Sequence, residues 1–257
     1  MKHIIIGIRG QIGTCVKEFL TLVGEERMIG LDMVEGRDVV VYGGEGGEDG
    51  GMGSYRGGET MMHVCIPFVG EDRFRNVVKN YMSRYVPKYV VVYSTVLPGT
   101  CIRLGKNAVH SPVEGRHPNL LEGFKVFKRL VAGKCSMEVG RIFEGWGLEV
   151  QTYDDAVVTE LGKLLSTTRY GINLLFCAAE ESMCKKAGVE FEKVVLDYQR
   201  MYNEGYRKLG QDKFIQPLLT APEGKIGGHC VVPNANLLSM FTSDEWVKKL
   251  AKFNEQG

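Results

Sequence analysis

One of the seven cysteines in this 257-residue chain stands where a thiol could do chemistry. Gly227-Gly228-His229-Cys230 places it directly after two glycines, which let the backbone take positive φ and approach a ligand closely. A thiol exposed in this way becomes a nucleophile once its thiolate is stabilised. Pro233 and Asn234 follow. Asn234 reads either as a turn residue or as a hydrogen-bonding neighbour of the thiol, since an amide cannot take up a proton. The second reactive group is Lys163, in Glu160-Leu161-Gly162-Lys163-Leu164. A lysine whose pKa is lowered by burial orients an alcohol oxygen and stabilises charge on it. Leu161, Leu164 and Leu165 suggest a partly buried setting, whereas a solvated face would pair Lys163 with Glu160 or Glu180. Together the two groups suit oxidation of an alcohol to an aldehyde. The thiol then captures the aldehyde as a thiohemiacetal, which loses a second hydride to become a thioester that water hydrolyses. His63-x-Cys65 and His229-Cys230 lack partners at zinc-site spacing, so no metal site is expected.

Hydride transfer requires an acceptor, and the N-terminus offers a place for one. Residues 3–8 read as a buried strand, followed by Gly7-Ile8-Arg9-Gly10-Gln11-Ile12-Gly13 and an apolar-periodic helix over 14–23. In such a turn the helix N-terminus faces a pyrophosphate. Asp32 lies in a second strand (27–33), 19 residues after Gly13, where a carboxylate holds a ribose hydroxyl. It favours NAD over NADP by repelling a 2′-phosphate, an effect that Arg9 would soften. In Gly-x-Gly-x-x-Gly register the first position is Ile8, so the turn reads Gly7-x-x-Gly10-x-x-Gly13.

The rest of the chain must position these groups. Strands are expected at 61–67, 89–96, 108–111, 127–132 and 148–152, and helices at 71–84 and 136–146. Apolar strands alternating with helices predict a parallel sheet covered on both faces. Ser94 and Thr95 fall at the carboxyl end of a strand, where open parallel sheets bind ligands. The glycine-rich stretch 43–58 reads as a mobile surface loop. From Asp154 to Ala187 the pattern is one helix of about 34 residues, roughly 50 Å long. Its length and the apolar residues Leu164, Leu165, Ile172 and Leu175 predict a homodimer through residues 154–187. A helix over 190–208, a loop over 217–236 and a last helix over 243–253 capped by Ser243 complete the chain. The expected division is a dinucleotide-binding domain at 1–153 and a helical domain at 154–257.

Composition narrows the partners. A net charge of +1 gives no electrostatic footprint for nucleic acid or an anionic membrane. No apolar run approaches the ~20 residues that span a bilayer. An odd number of scattered cysteines without a Cys-x-x-Cys pair predicts a reducing, cytoplasmic setting.

Four motifs carry a resemblance. They are the turn at 7–13, Ser94-Thr95-Val96-Leu97-Pro98-Gly99-Thr100, Glu160-Leu161-Gly162-Lys163-Leu164 and Ile226-Gly227-Gly228-His229-Cys230. In their order and spacing the sequence resembles the UDP-glucose/GDP-mannose dehydrogenases, from the N-terminus to about Leu238. The resemblance implies an α/β fold: a Rossmann-like parallel-sheet domain, then a helical domain built on one long helix, as in 6-phosphogluconate dehydrogenase. It implies NAD as cofactor, held by Gly7–Gly13, Asp32, Ser94 and Thr95, and a small-molecule substrate of nucleotide-sugar type. It makes Cys230 the nucleophile and Lys163 the active-site lysine, and sets Thr95 at the cofactor and water site. Glu114 matches the family's acidic residue one position late, with Glu122-Gly123 as the other match. Lys163, Thr167, Gly227 and Gly228 would contact substrate, and Asn234 joins the catalytic group.

The chain departs from the family at Ile8, at Thr167 where asparagine is usual, and at Asn234 where aspartate is usual. It stops at Gly257, before the second Rossmann-like domain of such enzymes. Two other readings stand beside a nucleotide-sugar dehydrogenase. One is a cofactor- or ligand-binding protein that has lost the reaction. The other is a one-step hydroxy-acid dehydrogenase using Lys163 alone.

Overall fold

The computed structural model describes residues 1–34, 37–43, 55–115, 119–227 and 230–255. The chain forms two compact units, residues 1–163 and 164–257.

The first unit is an eight-stranded sheet in the order β3-β2-β1-β4-β5-β6-β7-β8. The strands are β1 (Lys2–Ile6), β2 (Met28–Val34), β3 (Arg37–Gly43), β4 (Thr60–Val64), β5 (Tyr89–Val92), β6 (Ala108–His110), β7 (Arg129–Ala132) and β8 (Val150–Tyr153). Strands β2, β1, β4, β5 and β6 run parallel, as do β7 and β8. Two pairings depart from the expected all-parallel sheet: β3 is antiparallel to β2, and β7 meets β6 antiparallel through His110 and Ala132. Strand β3 was not expected at all. Of the glycine-rich stretch read as a mobile loop, residues 44–54 lie outside the described residues.

Period-two alternation divides the apolar side chains between two faces. Ile5, Met61, Val91 and Val109 pack with Phe19, Phe124 and Phe143 from helices α1 (Gln11–Leu22), α4 (Leu120–Val126) and α5 (Ser136–Gly145). Ile4, Ile6, Val90 and Val92 pack with Phe74, Val78 and Tyr81 of α2 (Glu71–Tyr85) and with Cys101 and Leu104 of α3 (Thr100–Leu104).

The turn after β1 shows how Ile8 is accommodated in a glycine's place. Gly7 takes the left-handed conformation, φ +83°, so the tight bend falls one residue earlier. Ile8 is buried, and its side chain fills space left by Gly30 on β2: a Cβ on Gly30 would lie 2.0 Å from Ile8 Cδ1. Gly30→Ala is therefore expected to cost about 1–3 kcal/mol by overpacking. Ile8→Ala in the same chain should restore most of that loss, and urea denaturation of the two single variants and the double variant measures the coupling. Gly13→Ala has no such remedy, because its Cβ would lie 2.1 Å from the Gly7 carbonyl oxygen.

The second unit contains most of the long helix α6 (Val157–Ala187), a π-helical turn (Glu192–Leu196), α7 (Asp197–Lys208), α8 (Val231–Ser239) and α9 (Glu245–Ala251). The expected helix over 190–208 thus opens as a π turn. The loop expected through residue 236 ends at Cys230. Pro233, inside the expected loop, sits in the first turn of α8, where its missing N–H costs nothing. Helix α9 is capped by Asp244 instead of Ser243: its carboxylate accepts the N–H groups of Trp246 and Val247. Gly171 of α6 allows this unit to close, since a Cβ there would meet Val231 Cγ1 at 2.5 Å and Leu250 Cδ2 at 2.6 Å. The apolar face expected to pair two copies is partly used inside the chain. Leu164 and Leu175 are buried, whereas Leu165, Tyr170, Phe176 and Met183 stand exposed.

Among the described residues, no helix is long and apolar enough to cross a membrane.

Candidate functional site

In the first unit the candidate groups gather where the parallel strands end. Gly10 is the N-cap of α1 in an extended conformation, and the helix has no acidic residue in its first turn. Arg9, Gly10 and Gln11 are exposed, Ile12 is half-buried and Gly13 is buried against the Gly7 carbonyl. The Arg9 backbone N–H donates to Asp32 Oδ2 at 3.0 Å. Two residues that the sequence placed in one cofactor site are thus in contact. A dinucleotide fits these residues. The missing Cβ atoms let backbone approach closely, the start of a helix presents unpaired N–H groups to an anion, and a carboxylate stands one strand away.

Beyond β5 the chain leaves the sheet at Tyr93, so the strand stops short of the expected 96. Ser94 turns inward and donates its hydroxyl to the Ile66 carbonyl at 2.6 Å. Thr95 is half-buried at the start of the turn. Three side chains that the sequence reading missed hold this turn. Glu160, fully buried, accepts the backbone N–H of Gly99 at 2.5 Å and of Cys101 at 2.8 Å. Burial raises its carboxyl pKa, and those two N–H groups oppose the rise. Glu71 accepts from Thr100 Oγ1 at 3.0 Å and from Arg103 Nε at 2.6 Å. His110 Nε2 lies 3.2 Å from the Ser94 carbonyl and Nδ1 lies 2.9 Å from Thr159 Oγ1. A carbonyl can only accept, so Nε2 carries the proton and Thr159 donates to Nδ1. Burial lowers the His110 pKa to about 3, against the Ser94 hydrogen bond that raises it.

Lys163 lies one helical turn past Glu160, at i+3. Its ammonium donates to the Val113 carbonyl at 2.7 Å and to Glu114 Oε2 at 2.9 Å. Its ion pair is therefore with Glu114, while Glu160 is committed to the neighbouring turn. Gly123 of α4 makes this possible, since a Cβ there would lie 2.6 Å from the Glu114 carbonyl oxygen. Glu122 is exposed, so of the two acidic matches it is Glu114 that reaches the lysine. Residues 159–163 of α6 thus hold the loops after both β5 and β6. The Glu160-x-x-Lys163 spacing was the available signal, because i and i+3 share a helix face.

A further buried cation went unread. Arg129, 1% exposed, lies in a strand that otherwise reads as apolar. Its Nη2 donates to the Ser111 carbonyl and hydroxyl at 2.9 and 3.0 Å, and its guanidinium sits 4.3 Å from the Phe124 ring centre.

The second unit carries the thiol. Of the seven cysteines only Cys230 is exposed. Burial pushes the thiols of Cys15, Cys135 and Cys177 up to about 11. Cys230 is the N-cap of α8, and its carbonyl accepts the Asn234 N–H at 2.9 Å, which places Asn234 one turn along. Asn234 is 7% exposed, and its Nδ2 has no hydrogen-bond partner among the described residues. It is a helical residue, not the turn residue that Pro233 suggested. Gly227 is exposed and Thr167 half-buried. Gly228, the remaining site residue, lies outside the described residues, as does His229 beside it.

No protein-family model and no curated protein matches the chain. Solved structures do match its fold. The UDP-D-ManNAc dehydrogenase of Pyrococcus horikoshii aligns with a TM-score of 0.72 at 14% identity, over 100% of this chain and 68% of that one. The UDP-N-acetyl-mannosamine dehydrogenase Cap5O of Staphylococcus aureus gives 0.69 at 16% identity over the same shares. The 3-hydroxyisobutyrate dehydrogenase of Mycobacterium tuberculosis gives 0.67 at 12% identity, over 100% of this chain and 93% of that one. The chain therefore has the fold of these dehydrogenases, a Rossmann-type sheet unit followed by a helical unit.

Proposed function

We propose that the chain is an NAD-dependent oxidoreductase that acts on a CH–OH group, with a nucleotide sugar as the substrate class. The observation that carries this reading is the pairing of Lys163 with Glu114 beyond β6, at the same end of the parallel strands as the glycine turn and Asp32. NAD, when bound, accepts hydride. Gly7, Arg9, Gly10, Gln11, Ile12, Gly13 and Asp32 would hold its pyrophosphate and ribose, with Ser94 and Thr95 beyond the end of β5. Lys163, steered by Glu114 and the Val113 carbonyl, orients the substrate oxygen and stabilises charge on it. Cys230 captures the aldehyde, as an exposed thiol at a helix start can. Thr167, Gly227 and Gly228 contact substrate in this reading.

A one-step hydroxy-acid dehydrogenase is the second reading, supported by the fold shared with the 3-hydroxyisobutyrate enzyme. Stoichiometry separates the two. A panel of UDP-sugars, GDP-sugars and 3-hydroxy acids is followed by NADH absorbance and product mass. Two NADH per carboxylate supports the first reading, one NADH per carbonyl product the second, and no NADH with any of them counts against both. In calorimetry, Asp32→Ala is expected to weaken NAD⁺ binding by about 1–3 kcal/mol, the scale of a hydrogen bond to a charged group. Unchanged affinity would remove Asp32 from the cofactor site.

A further inference from the structure

We infer that the start of α8 is an oxyanion site, in which the Asn234 side-chain amide donates to the negatively charged oxygen of a carbonyl adduct on Cys230. This rests on the reading of Cys230 as a nucleophile and adds what holds the adduct.

The observation behind it is an uncompensated polar atom. Asn234 is more than nine-tenths buried, and its Nδ2 has no hydrogen-bond partner among the described residues. A buried amide left unpaired forfeits its hydration without a replacement, so such atoms in a folded protein call for an explanation. Its position supplies one. The Asn234 N–H bonds to the Cys230 carbonyl, so the two residues are one turn apart. Side chains in a helix tilt toward its N-terminus, which points the Asn234 amide back toward the turn that begins at Cys230.

The backbone at this end adds to the donor set. The first N–H groups of a helix have no partner within it. In α8 these belong to Val231 and Val232, while Pro233 has none and the Asn234 N–H is committed to Cys230. An anion bonded to the Cys230 sulfur would therefore meet two backbone donors and one side-chain donor. Helix α8 is nine residues long, so its dipole also favours negative charge here. Asparagine suits this task and no proton-transfer task. It donates without ionising, stabilises an oxyanion, and cannot activate water against the thioester that follows. The site is thus built to form an acyl-thioester more readily than to hydrolyse it.

Acetylation by p-nitrophenyl acetate tests this without cofactor or natural substrate. The Cys230 thiolate bonds to the acetyl carbon through a tetrahedral oxyanion, p-nitrophenolate leaves with the bonding pair, and an acetyl thioester remains. Iodoacetamide alkylates the same sulfur by direct displacement, with no oxyanion, and serves as the control reagent. Asn234→Ala is expected to slow acetylation of Cys230 about 100-fold, as loss of one oxyanion donor does, and to leave the alkylation rate unchanged. Asn234→Asp preserves the side-chain volume, so it tests the same point if the alanine variant fails to fold. It is expected to slow acetylation through charge repulsion and to speed release of acetate from the thioester.

Peptide mapping identifies the modified thiol. An equal acetylation rate in the variants, or equal slowing with both reagents, overturns the oxyanion site alone. If neither reagent modifies Cys230 in the parent protein, the nucleophile reading falls with it.

Discussion

Cys230→Ser is expected to end carboxylate formation while NAD⁺ binding persists. A serine hydroxyl is un-ionised at neutral pH and has no base at hand among the described neighbours on α8, where the residue one turn along is an amide. The loss should be roughly 10³-fold or more, the scale seen when a covalent nucleophile is removed. No other thiol replaces it. Cys15, Cys65, Cys101, Cys177 and Cys184 are buried, and Cys135 is only partly accessible. Iodoacetamide should therefore label Cys230 first of the seven, as mass spectrometry of a partial reaction would show. Two outcomes count against the nucleophile role. Uniform labelling of several thiols would mean that Cys230 has no special accessibility. A Cys230→Ser variant that yields product at the parent rate, with one NADH per turnover, would establish the one-step reading instead.

Acid should unfold this protein earlier than its carboxylates alone would require. Three histidines are fully buried: His3, His63 and His110. His3 Nδ1 lies 2.9 Å from His63 Nε2, and His63 Nδ1 lies 3.2 Å from the Tyr93 hydroxyl. One arrangement satisfies both contacts with neutral rings: Tyr93 donates to His63, and His63 donates to His3. His3 Nε2 then faces Glu25 Oε2 at 3.2 Å, an off-line contact. Burial lowers the His3 pKa to about 4, although Glu25 raises it; burial and then His3 lower that of His63.

All three folded-state values, His110 included, lie below the unfolded value of about 6.5. The unfolded chain therefore binds more protons in this range, and stability falls as pH drops below about 6.5. For His3 the fall continues to about pH 4, and for His110 to about pH 3. Each of these two is expected to forfeit about 3 kcal/mol by pH 4, because a tenfold change in proton affinity corresponds to about 1.4 kcal/mol. That is a large share of the roughly 5–15 kcal/mol that holds a typical domain folded. Glu25 and Glu71 act lower. For each, burial alone would raise the pKa, but Trp146 and His3 around Glu25, and Arg103 and Thr100 around Glu71, bring it below the usual carboxylate value. Their stabilisation is lost only as pH falls through that lower value. Urea midpoints at pH 7.5, 6 and 5 measure the effect, and a flat profile across that window would contradict neutral buried histidines. His110→Gln should flatten it in part.

Periodicity carried the sheet and the two-unit plan, because apolar alternation and helical spacing are written locally. What escaped depends on pairing between distant segments. Nothing near Arg37–Gly43 announces an antiparallel partner, and the glycines that follow mask the strand. Arg129 interrupts an apolar run, yet its burial depends on Ser111 and Phe124 arriving from other elements. At the candidate site, Lys163, Glu114, Arg9 and Asp32 were named from the sequence, and the fold joins them in two contacting pairs. His110 was not named and Glu160 was read only as a possible partner of Lys163, because both bond to backbone groups, which no residue type reveals. Pro233 and Asn234 were placed in a loop, with a turn as one of two readings of Asn234, whereas both lie in the first turn of α8.

The β2–β3 pairing also bears on the order in which this chain assembles. Val34 pairs with Arg37, so these two strands meet across the shortest sequence gap in the sheet. Hairpins of this kind close in about 1–10 μs, whereas parallel pairs must first bring distant segments together against loop entropy. Strands β1 and β4 are separated by most of the first 60 residues, and β1 needs both β2 and β4 as neighbours. The β2–β3 hairpin can therefore form before the parallel strands find one another. It presents the outer edge of β2, the edge that β1 must find, while its other side is already occupied. Asp32, inside the hairpin, is then placed before the glycine turn it will face.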